Sequence, residues 1–425
     1  MSPYRKSLAI LIFMLASLFL LYEMALQVLP SILSAPLMEE LNIGPGTFGL
    51  MASLYFYSYT IMQVPAGLLL DRFGPRMLIS FAVLICSIGI LLFGLTSSVE
   101  TAAIGRFLMG FGSAFAFIGV LTVAALWFHP RHFAFLVGIA QLLAALGAFS
   151  GEVALSKVAD TLGGIRSSWR EMMIMLGILG LMLTFFSFLI IRDQPNKIRL
   201  PFSGRLHLFR DLKEIVKEKQ TWWILLYAFC GWGPITLFAA LWGVPYLMVR
   251  YSIPETLAAL ACSIIWIGIA VAAPIIGWLS DRFSRRRDLL IISAGLGLIC
   301  SLSVIYISWI PFWFMFLLLF GIGVAGAGQI LTFALVRDIN RPAITSTAVA
   351  LNNMGVVAGG VVFQPLVGFL LQISDHSYVS SGAVVYPESA YHFGLIMMPL
   401  CFLTGLFVSW FCIKETHGKP RHLTL

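Results

Sequence analysis

Apolar residues along this chain come in stretches of about 20, the length a helix needs to cross a hydrocarbon core. Twelve are read, at residues 8–32, 46–70, 77–95, 102–128, 133–158, 171–191, 221–248, 257–280, 288–309, 311–336, 343–371 and 392–413, with polar or basic segments between them. No water reaches backbone groups in lipid. Each stretch must therefore close its own hydrogen bonds, and a helix is predicted for each. The pattern predicts an all-α membrane protein.

The polar punctuation repeats. Gly67-Leu68-Leu69-Leu70-Asp71-Arg72-Phe73-Gly74-Pro75-Arg76 follows the second stretch, and Gly277-Trp278-Leu279-Ser280-Asp281-Arg282-Phe283-Ser284-Arg285-Arg286 follows the eighth. The matching residues sit 210 positions apart, about half the chain. A repeat that long, copied in one direction, predicts two similar halves of six spans. The one substantial connector, 192–220, holds eight basic and four acidic residues. Its Leu208, Leu212 and Ile215 recur at helical spacing, so an amphipathic helix on the inner membrane surface is expected. The domains expected are a bundle over 1–191, the linker 192–220 and a bundle over 221–425.

The doubled GxxxDRxGxR loop resembles the signature loop of the major facilitator superfamily of transporters. The resemblance implies two six-helix bundles, related by a pseudo-two-fold axis, around a central path worked by alternating access. In that family the loop aspartate latches the cytoplasmic ends of the halves together. Carried over, Asp71 would meet the start of the eleventh span near Arg341, and Asp281 the start of the fifth near Arg131. Those two arginines are also 210 residues apart. Gly67, Arg72, Arg76, Gly277 and Arg282 complete this expected cytoplasmic gate, with Gly67 letting another backbone approach closely. Pro75 departs from a usual basic residue. Ser284 stands in place of the usual turn glycine, which is expected to loosen the second turn. Arg106-Phe107-Leu108-Met109-Gly110-Phe111-Gly112 is similar to the family's second motif, and Trp169-Arg170-Glu171 to its entry into the sixth span. The glycine–proline antiporter motif of the fifth span is missing, which argues against a drug exporter. Leu241-Trp242-Gly243-Val244-Pro245-Tyr246-Leu247 resembles a bacterial branch of phagosomal carriers for amino acids and nucleosides.

Composition agrees with a membrane protein. Hydrophobic residues make up 60% and charged ones 11%, against about 25% charged in soluble domains. The net charge of +8 would suit a nucleic-acid binder were it not for its placement. With the N-terminus inside, cytoplasmic segments hold 22 of the 27 Lys and Arg, and the outer ones only Lys157, Arg166, Arg170 and Arg250. This positive-inside bias places both termini in the cytoplasm and makes anionic lipid, not nucleic acid, the partner. Ser7 to Leu21 is read as the first span rather than a signal peptide, because no small-residue cleavage site follows. The six cysteines lie in apolar spans without metal-ligand spacing, so no cofactor or metal is expected. No Asn-x-Ser/Thr site occurs, consistent with a bacterial inner-membrane location. A monomer is expected.

Polar residues inside the spans carry the candidate chemistry. Glu23, beside Tyr22 and Gln27, is the most expensive: a carboxylate in a span costs about 2.5–3.5 kcal/mol on insertion scales, so it should face a cavity or a partner. Tyr55, Tyr59 and Gln63 step by four along one helix face. Arg106 lies at a similar depth to Glu23, and the two are expected to interact directly or through substrate. Glu152 is either a second proton site or an outer-rim carboxylate, and Gln141 lies nearer the inside. Gly231-Trp232-Gly233-Pro234 should loosen the seventh span, with Phe238 and Trp242 downstream as gate aromatics. Gln329, Asn352 and Asn353 are amides that bind solute or link helices. Gly321-x-Gly323-x-x-Gly326 copies a dinucleotide fingerprint but follows no strand, so that reading is rejected. No nucleophile–base grouping or phosphate loop appears, so an enzyme is not expected. The expected function is proton-coupled symport of a small polar solute, an amino acid or short peptide. A proton-driven exporter of drugs, siderophores or metabolites is the alternative, and a non-transporting nutrient sensor ranks last.

Overall fold

The computed structural model describes residues 3–128, 133–161, 164–193, 213–340, 344–374, 378–380 and 383–417, with the side chains of Asp71, Arg72, Asp281 and a few others left out. Its helices are α1 (Pro3–Glu40), α2 (Pro45–Phe73), α3 (Pro75–Gly94), α4 (Val99–Ser113), α5 (Ala116–Trp127), α6 (Phe133–Thr161), α7 (Ile165–Ile190), α8 (Lys219–Leu237), α9 (Gly243–Tyr251), α10 (Glu255–Phe283), α11 (Arg286–Tyr306), α12 (Phe312–Ala327), α13 (Ile330–Ile339), α14 (Thr345–Ile373), α15 (Glu388–Leu395) and α16 (Met397–Phe407). A short antiparallel hairpin, β1 (Tyr378–Ser380) and β2 (Ala383–Val385), precedes α15, with Tyr378 opposite Val385.

Eleven stretches among the described residues are long and apolar enough to cross a membrane. The remaining expected span, α2, has 29 residues, but Tyr55, Ser58, Tyr59, Thr60 and Gln63 dilute its apolar character. Four spans expected to be regular depart locally from α-helix. Three tighten while keeping a right-handed helical backbone: the fourth at Ala114–Phe115 between α4 and α5, the tenth at Gly328–Gln329 between α12 and α13, and the twelfth at Ile396 between α15 and α16. In the seventh, Pro234 lies inside α8 and a π turn, Phe238–Trp242, follows it. Proline has no N–H to give the preceding turn, and the helix absorbs the defect by widening.

The chain divides into two compact units. Unit 1 is Met1–Pro36 with Met51–Phe202, and unit 2 is Leu37–Leu50 with Ser203–Leu425. Leu37–Leu50 was expected in the N-terminal bundle. It groups with unit 2 because the start of α2 lies flush on α14: a Cβ on Gly49 would fall 2.5 Å from the Gln364 carbonyl oxygen, and one on Gly368 2.2 Å from that of Pro45. The expected linker helix lies largely outside the described residues; residues 213–217 at its end are helical, and Ile215 is buried.

Glycines decide the helix crossings inside each unit. In unit 1, a Cβ on Gly110 of α4 would stand 2.0 Å from the Tyr55 carbonyl oxygen of α2, and one on Gly147 of α6 2.3 Å from that of Leu21 in α1. In unit 2, a Cβ on Gly323 of α12 would stand 2.1 Å from the Ile265 carbonyl oxygen of α10, and one on Gly359 of α14 2.5 Å from the Gly233 Cα of α8. Only a residue without a side chain permits such approach. The close contact expected at Gly67 is not made: nothing described lies within 4 Å of a Cβ there or at Gly277. Those two glycines close a span rather than a crossing.

Candidate substrate and coupling site

Unit 1 gathers the charged residues. Glu23 and Arg106 are each 1% exposed. They do not form the direct ion pair that was one of the expected arrangements; Tyr55 stands between them. Its hydroxyl donates to Glu23 Oε1 at 2.8 Å, and the Arg106 guanidinium lies over its ring, 4.8 Å from the centroid. Tyr59 stacks on Tyr55, with centroids 6.0 Å apart and planes 20° from parallel. The geometry follows from α4. Gly110 brings α4 flush onto α2, and Arg106, one turn earlier, then reaches the Ala52 carbonyl (3.3 Å) and the Leu26 carbonyl of α1 (2.9 Å).

The result is a guanidinium with no carboxylate within 4 Å among the described residues. Carbonyls and a ring face satisfy part of it, and its Nε has no hydrogen-bond partner. Glu23 Oε2 is unpartnered as well. A buried cation held only by neutral groups is an expensive arrangement that an anionic partner relieves. Chemically, the site can take an anion at Arg106 and hold or release a proton at Glu23.

Other expected residues fall elsewhere. Tyr22 turns away from this group, and its hydroxyl donates to the Leu176 carbonyl of α7 at 3.0 Å. Gln27 and Gln63 are buried and Gln141 is half-buried. Glu152, on α6, is 0% exposed.

The expected site residues of unit 2 are amides and aromatics rather than charged groups. Gln329 lies in the tight helical turn between α12 and α13, and its backbone carbonyl accepts from Thr332 Oγ1 at 2.7 Å. Asn352 Nδ2 donates to Thr332 Oγ1 at 2.8 Å. Asn353 is half-buried. Trp232 meets Trp266 edge-on at 6.2 Å, and Phe238 meets Tyr246 at 5.9 Å. Trp242, in the π turn, donates from Nε1 to the Gln364 carbonyl at 3.1 Å.

Of the expected cytoplasmic gate, Arg131, Arg341 and the side chains of Asp71, Arg72 and Asp281 lie outside the described residues. Arg282 is exposed and lies over the Trp278 ring at 5.4 Å. The Arg76 backbone N–H donates to Asp193 Oδ1 (3.1 Å) and its Nε to the Phe188 carbonyl (3.2 Å), tying α3 to the end of α7. Unit 2 has a fuller counterpart that sequence reasoning missed. Arg286 Nε lies 2.9 Å from Asp338 Oδ2, both side chains buried. Thr416 donates to the same Asp338 oxygen at 2.8 Å. Glu415 accepts from the backbone N–H groups of Arg286 (3.2 Å) and Arg287 (2.7 Å), capping α11. The available signals were an acid at the end of an apolar span, Asp338, and the likeness of Ile413-Lys414-Glu415 to Ile191-Arg192-Asp193. A second missed cluster sits on α9: Arg250 pairs with Glu388 at 3.5 Å, and Glu388 with His392 at 3.2 Å.

Residues 14–251 and 235–424 each match the family profile described as Major Facilitator Superfamily. Over 286 residues the chain is 28% identical to the "Probable sulfoacetate transporter SauU" of Cupriavidus necator, a match covering 64% of each protein, just under two thirds of that relative's length. It is 22% identical over 400 residues to the "Probable galactarate/D-glucarate transporter GudP" of Escherichia coli, covering 84% of this chain and 85% of that one. Its fold superposes with a TM-score of 0.73 on a bacterial homolog to the human lysosomal transporter Spinster, over 98% of both chains at 16% identity. At that identity the likeness shows the fold alone.

Proposed function

Because the chain belongs to the Major Facilitator Superfamily, and so is a multi-pass membrane transporter rather than an enzyme, we propose that it carries a small organic acid by proton-coupled symport. One observation carries this reading: Arg106, buried in unit 1, has no carboxylate within ion-pair distance and an unpartnered Nε. A carboxylate or sulfonate from the cargo supplies the missing anion. Relatives named for sulfoacetate, galactarate and D-glucarate support the same class. Glu23 takes the proton. A neutral carboxyl crosses an apolar barrier far more cheaply than a carboxylate, and Tyr55 holds it within reach of the guanidinium's field. Alternating access then proceeds by rocking about this level, with Asp71–Arg341 and Asp281–Arg131 as the cytoplasmic latches. Both termini face the cytoplasm of a bacterial cell.

An amino acid is the second reading. It is favoured because Glu23 Oε2 is unpartnered too, so one unit offers an anion and a cation to a zwitterion. Purified protein in liposomes separates the two. With an inward proton gradient, labelled glucarate or sulfoacetate accumulates in wild type, Arg106→Gln abolishes uptake, and Glu23→Gln keeps exchange but loses uphill accumulation. Accumulation of amino acids alone would replace the first reading with the second. Uphill transport retained in Glu23→Gln would remove the coupling role.

A further inference from the structure

Two antiparallel helix ends meet in unit 2. α8 begins at Lys219, and α16 runs on into a π turn, Val408–Cys412, which the Ile413 N–H closes on the Val408 carbonyl at 2.9 Å. The last carbonyls of a helix have no donors of their own. Side chains of the neighbouring helices supply them here. Gln220 Nε2 donates to the Cys412 carbonyl at 2.8 Å. Arg287 of α11 donates from Nε to the Ser409 carbonyl at 3.1 Å and from Nη2 to that of Trp410. Gln220 Oε1 accepts in turn from the Lys414 N–H at 3.0 Å. The starts of α8 and α11 are thus stitched to the end of α16.

Both antiparallel ends carry the same arrangement. On α8 the exposed Trp222 and Trp223 follow Lys219 by three and four residues. On the other end the exposed Trp410 and Phe411 precede Lys414 by four and three. Each end therefore sets an exposed lysine roughly 5–10 Å beyond a pair of exposed aromatics. The acids nearby are engaged elsewhere. Glu415 accepts from the backbone N–H groups of Arg286, Arg287, Thr416 and His417, and Glu218 Oε1 accepts from that of Gln220. Among the described residues neither lysine has a carboxylate within 4 Å.

We infer that Lys219 and Lys414, with Trp222, Trp223, Trp410 and Phe411, form a docking site for one anionic phospholipid. Its phosphate lies between the two ammonium groups and its acyl chains run along the four rings. Tryptophan favours the depth of the lipid headgroups, and a lysine just beyond it stands level with the phosphates. Charge complementarity selects the occupant. A zwitterionic lipid brings its own cation to a place that already holds two. A free anion in water answers the lysines but not the rings. The site lies wholly within unit 2 and is independent of the cargo.

Thermal unfolding of the full-length purified protein in detergent micelles tests this, with dioleoylphosphatidylglycerol or dioleoylphosphatidylcholine added. Wild type should be stabilised saturably by the first and not by the second at equal mole fraction. A lysine near an anionic lipid surface is worth about fivefold in affinity. Lys219→Gln and Lys414→Gln should therefore each raise the half-saturating phosphatidylglycerol concentration about fivefold, and the double variant about twentyfold. Lys157→Gln, an exposed lysine of unit 1, should leave it unchanged. Native mass spectrometry gives a second reading: one phosphatidylglycerol should stay on wild type through delipidation and none on the double variant. Retention by the double variant, or an unchanged response of its melting to phosphatidylglycerol, would overturn the inference. So would an equal response of wild type to the two lipids. Stabilisation by inorganic phosphate alone, to the same extent, would make this a free-anion site and overturn the lipid assignment.

Discussion

Gly110→Ala is the most demanding perturbation of the charged site, because it leaves every charged residue in place. The added Cβ would stand 2.0 Å from the Tyr55 carbonyl oxygen and 2.4 Å from Ser58 Oγ. Carbon and oxygen tolerate no closer approach than about 3.3 Å, so α4 must retreat from α2 by roughly 1.3 Å at this crossing. One turn away, that retreat takes the Arg106–Ala52 contact, already 3.3 Å, out of hydrogen-bond range and strains the 2.9 Å bond to Leu26. Overpacking of a tight crossing costs about 1–3 kcal/mol, and a lost bond from a charged donor about 1.5–3 kcal/mol. A destabilisation of about 2–4 kcal/mol is expected, with substrate affinity reduced at least about tenfold. Thermal unfolding in detergent and counterflow in liposomes read the two effects. Gly295→Ala is the control: nothing lies within 4 Å of its Cβ, so stability should hold or rise by up to about 1 kcal/mol. Wild-type melting and wild-type affinity in Gly110→Ala would refute the claim that this glycine positions Arg106.

Tyr55→Phe keeps the ring under Arg106 but removes the 2.8 Å bond to Glu23; apparent substrate affinity should change less than about threefold while proton-driven accumulation falls, and equal loss of both would show that Tyr55 acts through substrate contact instead. Glu415→Ala strips two backbone N–H partners from the start of α11 and should lower stability by about 1–2 kcal/mol, with faster hydrogen exchange in the first turn of α11; unchanged exchange there would sink the capping role. Ser284 holds a left-handed conformation at φ 52° and ψ 36°, whereas Gly74 in the first copy of the loop combines φ 81° with ψ 167°. Ser284→Gly should therefore raise the melting temperature, by about 1 kcal/mol of relieved strain, and a fall would contradict that reading.

Much of this protein was legible in one dimension. Span length and the doubled loop are local or evenly spaced properties, and the bilayer acts on each stretch almost independently of its neighbours. The cost of charge in lipid likewise singled out Glu23 and Arg106 before any packing was known. Their relation was not legible. It depends on the rotation of three helices about their axes, and it took Gly110 against the backbone of α2 to set Tyr55 between acid and guanidinium. The same is true of Tyr22, whose hydroxyl goes to the Leu176 carbonyl, and of Asp338, whose partner Arg286 lies 52 residues earlier in the chain. A stretch of sequence specifies that a polar atom in a membrane must find a partner; only the packed helices decide which one it finds, because reach and direction are set by crossings that a single glycine permits or forbids.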